Sequence, residues 1–166
     1  MRASSQTRQI VAEKYINDLA AVNMKGELAR IGLPSSNKGE KLLIITFSPL
    51  CSFCRENMPG WLRLADNLRT RDSWRVVWVS RNSEQVTRQY CQEQHLPFDN
   101  VFSDPLHGTY LQLDLDTVPN VGALDSGGVV RRVWQGALSS QRWKEIAEYT
   151  GVPYEAILAE HALVTN

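Results

Sequence analysis

Two cysteines three positions apart, Cys51 and Cys54, are the residues in this sequence best suited to chemistry. They follow the apolar run Leu42-Leu43-Ile44-Ile45-Thr46-Phe47 and precede a segment, 55–69, that carries Leu62, Leu64, Ala65 and Leu68 at helical spacing. The run suits a strand buried in the middle of a sheet, and Pro49, which cannot donate to a ladder, ends it. Both thiols therefore sit where a strand turns into a helix. Unpaired N–H groups and the positive end of the helix dipole favour an anion there, which makes Cys51 the better nucleophile. Cys54 lies about one helical turn later, within reach for a small-loop disulfide that opens and closes without rearranging the chain. The pattern reads as a reversible C-x-x-C redox pair.

Other uses of the pair fit less well. Zinc would need two more ligands at matching spacing, and Cys91, His95, His107 and His161 form no second paired motif. A purely structural disulfide would close a very short loop and so constrain the unfolded chain little. Cys91 falls in a predicted helix among polar residues and reads as a lone buried or half-buried thiol outside the mechanism. The three histidines lie near predicted loops or the chain end, as solvated histidines do, which argues against a Cys-His hydrolase. Among the tryptophans, Trp74 and Trp78 belong in or beside a strand, and Trp61 and Trp143 at helical positions, so core packing explains most of them. Trp61 is the one expected near the active site.

These residues must be positioned by a chain of 166 residues, 43% hydrophobic and 22% charged, which is ordinary for one soluble domain. Eighteen basic and eighteen acidic residues balance, so the chain lacks the basic footprint that nucleic acid or an anionic membrane would need. No apolar stretch reaches the length of a membrane helix or a signal-peptide core, so membrane association would require an anchor missing from this chain.

In order, Val11, Tyr15, Leu19 and Val22 predict an amphipathic helix over 4–25, and 33–39 is turn chemistry leading into the first central strand. A second strand is expected at 74–80, a helix from Ser83 to Gln94, and a short extended piece at 98–102. Asp104-Pro105 opens a brief helix around 105–113. Runs 121–124 and 129–134 flank Asp125-Ser126-Gly127-Gly128 as an antiparallel hairpin, and helices at 139–149 and 153–162 close the chain. The division is an N-terminal helix and entry loop (1–39), a main domain (40–150) and a C-terminal helix (151–166).

Taken in this order, the parts resemble the thioredoxin superfamily, and within it the TlpA/ResA-like membrane-associated disulfide reductases. The resemblance covers roughly 40–150. It rests on the strand leading into Cys51-Ser52-Phe53-Cys54, on Met58-Pro59, on the inserted helix and strand at 83–102, on Asp104-Pro105 and Thr117-Val118-Pro119, and on the Asp-x-Gly-Gly hairpin with Gly136 after the last strand. It implies an α/β thioredoxin-like fold, a central mixed sheet flanked by helices with a βα-type insertion and an N-terminal helix. It also implies Cys51 and Cys54 as catalytic residues, with Pro119 as a cis-proline beside them. Thr117, Val118 and Pro119 would form a docking loop on which Val118 offers its backbone to an extended substrate segment.

Such a protein needs no cofactor or metal. Its partners would be a protein disulfide or dithiol, such as an apocytochrome or a metal-site assembly protein, and an upstream thiol electron donor, in an extracytoplasmic setting. Leu50 and Phe53 stand where many relatives have Trp and Pro. Ile45 and Asn57 occupy the positions of the usual acids, which leaves proton exchange with Cys54 to water or to Glu56. Two other classes of function share these residues. Ser48-Pro49-Leu50-Cys51 resembles the peroxidatic Thr/Ser-x-x-Cys of peroxiredoxins, although Ile44 replaces the proline those enzymes place four residues earlier. A non-catalytic thioredoxin-like interaction module would need redox-inert cysteines.

Overall fold

The computed structural model describes residues 15–16, 19–32, 39–71, 73–106 and 118–158. Its elements are β1 (Leu19–Asn23), β2 (Leu28–Ile31), β3 (Lys41–Phe47), α1 (Ser52–Arg69), β4 (Trp74–Ser80), α2 (Glu84–Gln94), β5 (Val101–Ser103), β6 (Asn120–Leu124), β7 (Val130–Gln135), α3 (Ser140–Thr150) and α4 (Tyr154–Ile157). The strands form one mixed sheet in the order β2-β1-β5-β4-β3-β6-β7. Strands β3, β4 and β5 run parallel, while β6 and β1 flank them antiparallel.

β3 is central because both of its faces are apolar. Leu43, Ile45 and Phe47 point to the α1 side, where they pack with Cys54, Met58, Trp61 and Leu64 of α1, Trp78 of β4, and Trp143 and Ile146 of α3. Leu42 and Ile44 point the other way, towards Ile16, Leu19, Ile31, Val77 and Val130. Alternation along one strand thus feeds two cores, as the apolar run predicts.

The helix expected over 4–25 is corrected where the chain is described. Tyr15 makes an isolated bridge to Val129, and residues 19–23 form β1, which pairs with β2 from Leu19↔Ile31 to Val22↔Leu28. Tyr15, Leu19 and Val22 do stand at helical intervals, yet Leu19 and Ala21 are buried on one strand face while Ala20 is exposed. Turn chemistry decides the outcome. The Asn23 side chain accepts the N–H groups of Lys25 (2.9 Å) and Glu27 (3.0 Å), and Gly26 takes the positive φ of 82° that reverses the chain. Residues 4–14 of that helix, the entry loop over 33–38, most of the helix around 105–113 and residues 159–162 lie outside the described residues. Pro105 and Leu106 form a turn. Phe98–Asn100, expected to be extended, is a 3-10 turn, and the strand begins at Val101.

α1 and α3 approach closely at Gly60, where an added Cβ would lie 2.7 Å from the Trp143 indole. Alanine normally stabilises a helix interior by roughly 0.5–1 kcal/mol relative to glycine, but overpacking a buried indole costs about 1–3 kcal/mol. Gly60→Ala should therefore lower the thermal midpoint by several degrees. A rise in calorimetry would mean that the α1–α3 contact yields.

Candidate active site

β3 ends at Phe47, whose carbonyl accepts the Arg81 N–H at 3.0 Å, and the chain turns over Ser48-Pro49-Leu50. The Ser48 carbonyl accepts the Cys51 N–H (3.1 Å) and the Ser48 hydroxyl accepts the Leu50 N–H (3.2 Å), so one residue closes the turn twice. Cys51 is the N-cap of α1. Its extended backbone (φ −90°, ψ 123°) lets its Sγ accept the Cys54 N–H at 3.3 Å, while its carbonyl accepts the Arg55 N–H at 3.1 Å. Sulfur takes the place that a Ser or Asp oxygen usually takes at this position.

The two thiols differ sharply in exposure. Cys51 is half-buried, Cys54 is fully buried, and both are free thiols. Burial pushes the Cys54 thiol up to about 12, and its hydrogen bond with Cys51 adds to the rise. The Ser48 backbone, which hydrogen-bonds the sulfur, pulls the other way. An accessible sulfur aimed at by a backbone N–H thus stands beside a hidden one that holds its proton. Leu50 and Phe53, 75% and 53% exposed, flank the accessible sulfur with apolar surface.

The docking loop expected from the sequence comes to the same end of the sheet. Thr46 of β3 pairs with Asn120 of β6, which sets Pro119 alongside Phe47. The Val118–Pro119 bond is cis, Pro119 is buried, and Val118 is half-buried against the core that contains Cys54. The Pro119 carbonyl accepts the Gly136 N–H at 2.7 Å, and Gly136 has the positive φ (76°) of a residue just past β7. Thr117 lies outside the described residues.

The acid positions hold no acid. Ile45 is buried in the apolar core, and Asn57 is buried with its Oδ1 accepting the Leu138 N–H at 3.5 Å while its Nδ2 has no partner. Glu56 is exposed on α1, whereas Cys54 is fully buried. Tyr90 of α2 is a neighbour that sequence reading missed. Its ring packs on Phe47 with centroids 5.8 Å apart, and its hydroxyl is pushed up to about 12 by burial first and by Cys54 second. The signal was present in the buried stripe Thr87, Tyr90 and Cys91 along α2, but such a stripe looks like any core face.

Cys91 is 1% exposed, and burial pushes its thiol up to about 12, which suits an inert core residue. His95 caps α2 in the left-handed conformation with its N–H on the Cys91 carbonyl, and His107 and His161 fall outside the described residues. Among the described residues no three His, Cys, Asp or Glu side chains cluster as metal ligands. No helix of the described residues is long and apolar enough to cross a membrane.

No protein-family profile matches the sequence, and no curated protein matches it. Solved structures do match. A protein assigned as the thiol:disulfide interchange protein DsbE from Chlorobium tepidum superposes with a TM-score of 0.70 at 17% identity, covering 90% of this chain and 99% of that one. The thioredoxin domain of a thiol-disulfide oxidoreductase from Bacteroides vulgatus gives 0.66 at 14% identity, covering 86% and 99%. The fold is thioredoxin-like. The exposed lipoprotein thioredoxin Etrx1 of Streptococcus pneumoniae agrees, with a TM-score of 0.60 at 18% identity over 80% of this chain and 99% of that one. In this thioredoxin-like frame Cys51 and Cys54 sit between the central strand and the helix that follows it. The βα-type insertion expected from the sequence is α2 with the 3-10 turn and β5.

Proposed function

We propose that this protein is a thiol-disulfide oxidoreductase that reduces protein disulfides through Cys51 and Cys54. The observation that carries the reading is the half-buried Cys51 Sγ at the N-terminus of α1, receiving the Cys54 N–H, with a fully buried partner thiol one turn on. Cys51, as thiolate, attacks one sulfur of the substrate disulfide, and the other substrate sulfur leaves as a thiolate that takes up a proton. Cys54 then gives up its proton and attacks the Cys51 sulfur, which releases the second substrate thiol and leaves a Cys51–Cys54 disulfide. An upstream dithiol donor restores the pair. Val118 and Pro119, with Thr117 before them, dock the substrate segment beside the sulfur as an added extended strand, and Leu50 and Phe53 offer it apolar contact.

A setting outside the cytoplasm agrees with this chemistry, and one structural neighbour is described as an exposed lipoprotein. Substrates there would be apocytochrome or metal-site cysteines that must be reduced before they are loaded. The Ser48 hydroxyl, which a peroxidase would turn towards the cysteine sulfur, instead donates to Asn82 at 2.6 Å.

Insulin reduction with dithiothreitol, run beside a peroxide-consumption assay, tests the reading. Catalytic amounts of protein should shorten the lag before insulin precipitates and leave peroxide unconsumed. Peroxide consumption without insulin reduction would identify a peroxidase, and inactivity in both with unreactive cysteines would identify an interaction module.

A further inference from the structure

The turn that presents Cys51 is tied to the far end of β4 by a chain of polar contacts. The Ser48 hydroxyl donates to the Asn82 Oδ1 at 2.6 Å across 34 positions of sequence. Asn82, with Arg81 beside it, is held from three directions. Its N–H donates to the Ser80 hydroxyl (3.1 Å), its carbonyl accepts the Ser103 hydroxyl of β5, and the Arg81 N–H beside it donates to the Phe47 carbonyl (3.0 Å). Ser80, fully buried, also accepts the Thr87 hydroxyl of α2 at 2.7 Å, and its carbonyl accepts the Asp104 N–H at 2.8 Å. The bracket is thus anchored in β3, β4, β5 and α2 at once.

We propose that Asn82 is a positioning residue for the redox pair, acting through Ser48 to fix the turn that aims the Cys51 sulfur. Ser48 is the right intermediary because its hydroxyl also holds the Leu50 N–H and its carbonyl holds the Cys51 N–H. Removing the Asn82 acceptor leaves that hydroxyl to water and frees the turn from the strand ends. Cys51 then spends less time as the N-cap whose Sγ meets the Cys54 N–H. The inference also gives the insertion a use, since α2 and β5 supply Thr87 and Ser103, which fix Ser80 and Asn82 in turn. It rests on the reading of Cys51 as the attacking thiol, not on which disulfide it attacks.

The test is the rate of Cys51 alkylation by iodoacetamide, with the label located by mass spectrometry, as a function of pH in four proteins. These are wild type, Ser48→Ala, Asn82→Ala and the double variant. A hydrogen bond of about 1 kcal/mol corresponds to roughly a fivefold change. Asn82→Ala should slow alkylation of Cys51 by about that factor across the pH range, and Ser48→Ala, which also frees the Leu50 N–H, by at least as much. The double variant should slow it no more than Ser48→Ala alone, because both single variants remove the Ser48–Asn82 contact and Ser48→Ala already frees the Leu50 N–H as well. Ser83→Ala removes the N-cap hydrogen bond of α2 to Val86 and serves as the control. It should lower the thermal midpoint and leave alkylation unchanged. Multiplicative loss in the double variant, unchanged rates in the singles, or an equal slowing by Ser83→Ala would each overturn the proposal. Because alkylation needs no disulfide substrate, these outcomes are read separately from insulin reduction, whose absence in wild type would count against the oxidoreductase reading alone.

Discussion

Cys54→Ser should convert the protein from a catalyst into a trap, and Cys51→Ser should abolish reactivity altogether. Without the buried thiol, the mixed disulfide between Cys51 and its substrate has no internal nucleophile to resolve it, so it persists until an external thiol arrives. Without Cys51 the remaining thiol is fully buried, and burial, the largest cause of its raised value, still holds its proton, so it neither meets a protein disulfide nor presents a thiolate to it. We expect insulin-reducing turnover to fall by roughly a thousandfold or more in either variant, because serine is a far weaker nucleophile at neutral pH. Only Cys54→Ser should carry covalently bound protein on non-reducing gels of native extract. Mass spectrometry of that adduct would name the substrate. Equal adduct formation by both variants would mean that the roles are shared or reversed, and adducts from neither would remove disulfide exchange from the reading.

The centre of this protein was legible because its physical signals are local. A run apolar on both faces has one comfortable place, the middle of a sheet, and Pro49 marks its end. The position of Cys51 at a helix start then follows from the amphipathic segment 55–69. Ser83 as a cap of α2 and the Asp125–Gly128 turn between β6 and β7 were equally local, since Ser83 accepts the Val86 N–H and Asp125 the Gly127 and Val129 N–H groups. β1 was misread because two periodicities overlap in one short stretch. Leu19 lies four residues after Tyr15 and two before Ala21, and only the Asn23–Gly26 turn, which returns the chain as β2, separates the readings.

What stayed hidden is contact between residues far apart in sequence. Ser48 and Asn82 look like two ordinary turn residues until β3 and β4 pair in parallel register, from Lys41↔Trp74 to Phe47↔Ser80. That pairing brings the residues just past both strand ends together. Val118-Pro119 was placed beside the cysteines through resemblance, and the Thr46↔Asn120 register supplies the physical reason for its position. The missing acids at Ile45 and Asn57 were visible as a departure, but Tyr90 as the aromatic neighbour of Cys54 required α2 to be docked.

That environment makes the second chemical step the one most sensitive to pH. Resolution of the mixed disulfide needs the Cys54 thiolate, and burial, the first cause that pushes this thiol up to about 12 beside free Cys51, still opposes that charge in the mixed disulfide. While the thiol stays protonated each unit of pH should raise the resolution rate about tenfold, and burial moves the plateau above that of an ordinary thiol. An ordinary thiol, with a value of about 8.5, would level off near pH 9. Once Cys51 is bonded to substrate, its own contribution to the rise is removed, but burial, the larger cause, remains. The sign for stability is opposite to that for rate. A thiol raised from 9.0 to about 12 on folding holds its proton where the unfolded chain loses it, so the stability it contributes is present below pH 9 and fades as pH climbs towards 12. The measurement is to load Cys51 with a chromogenic aryl thiol and follow its release by absorbance between pH 7 and 10, where the fold persists. A log-linear rise that continues past about pH 9 is expected, and Cys54→Ser should show none of it. A plateau near about pH 8.5 to 9 would mean that Cys54 behaves as an ordinary thiol in the mixed disulfide and that burial does not govern the step, unless Tyr90→Phe or Glu56→Gln removed the plateau and so marked that residue as the base.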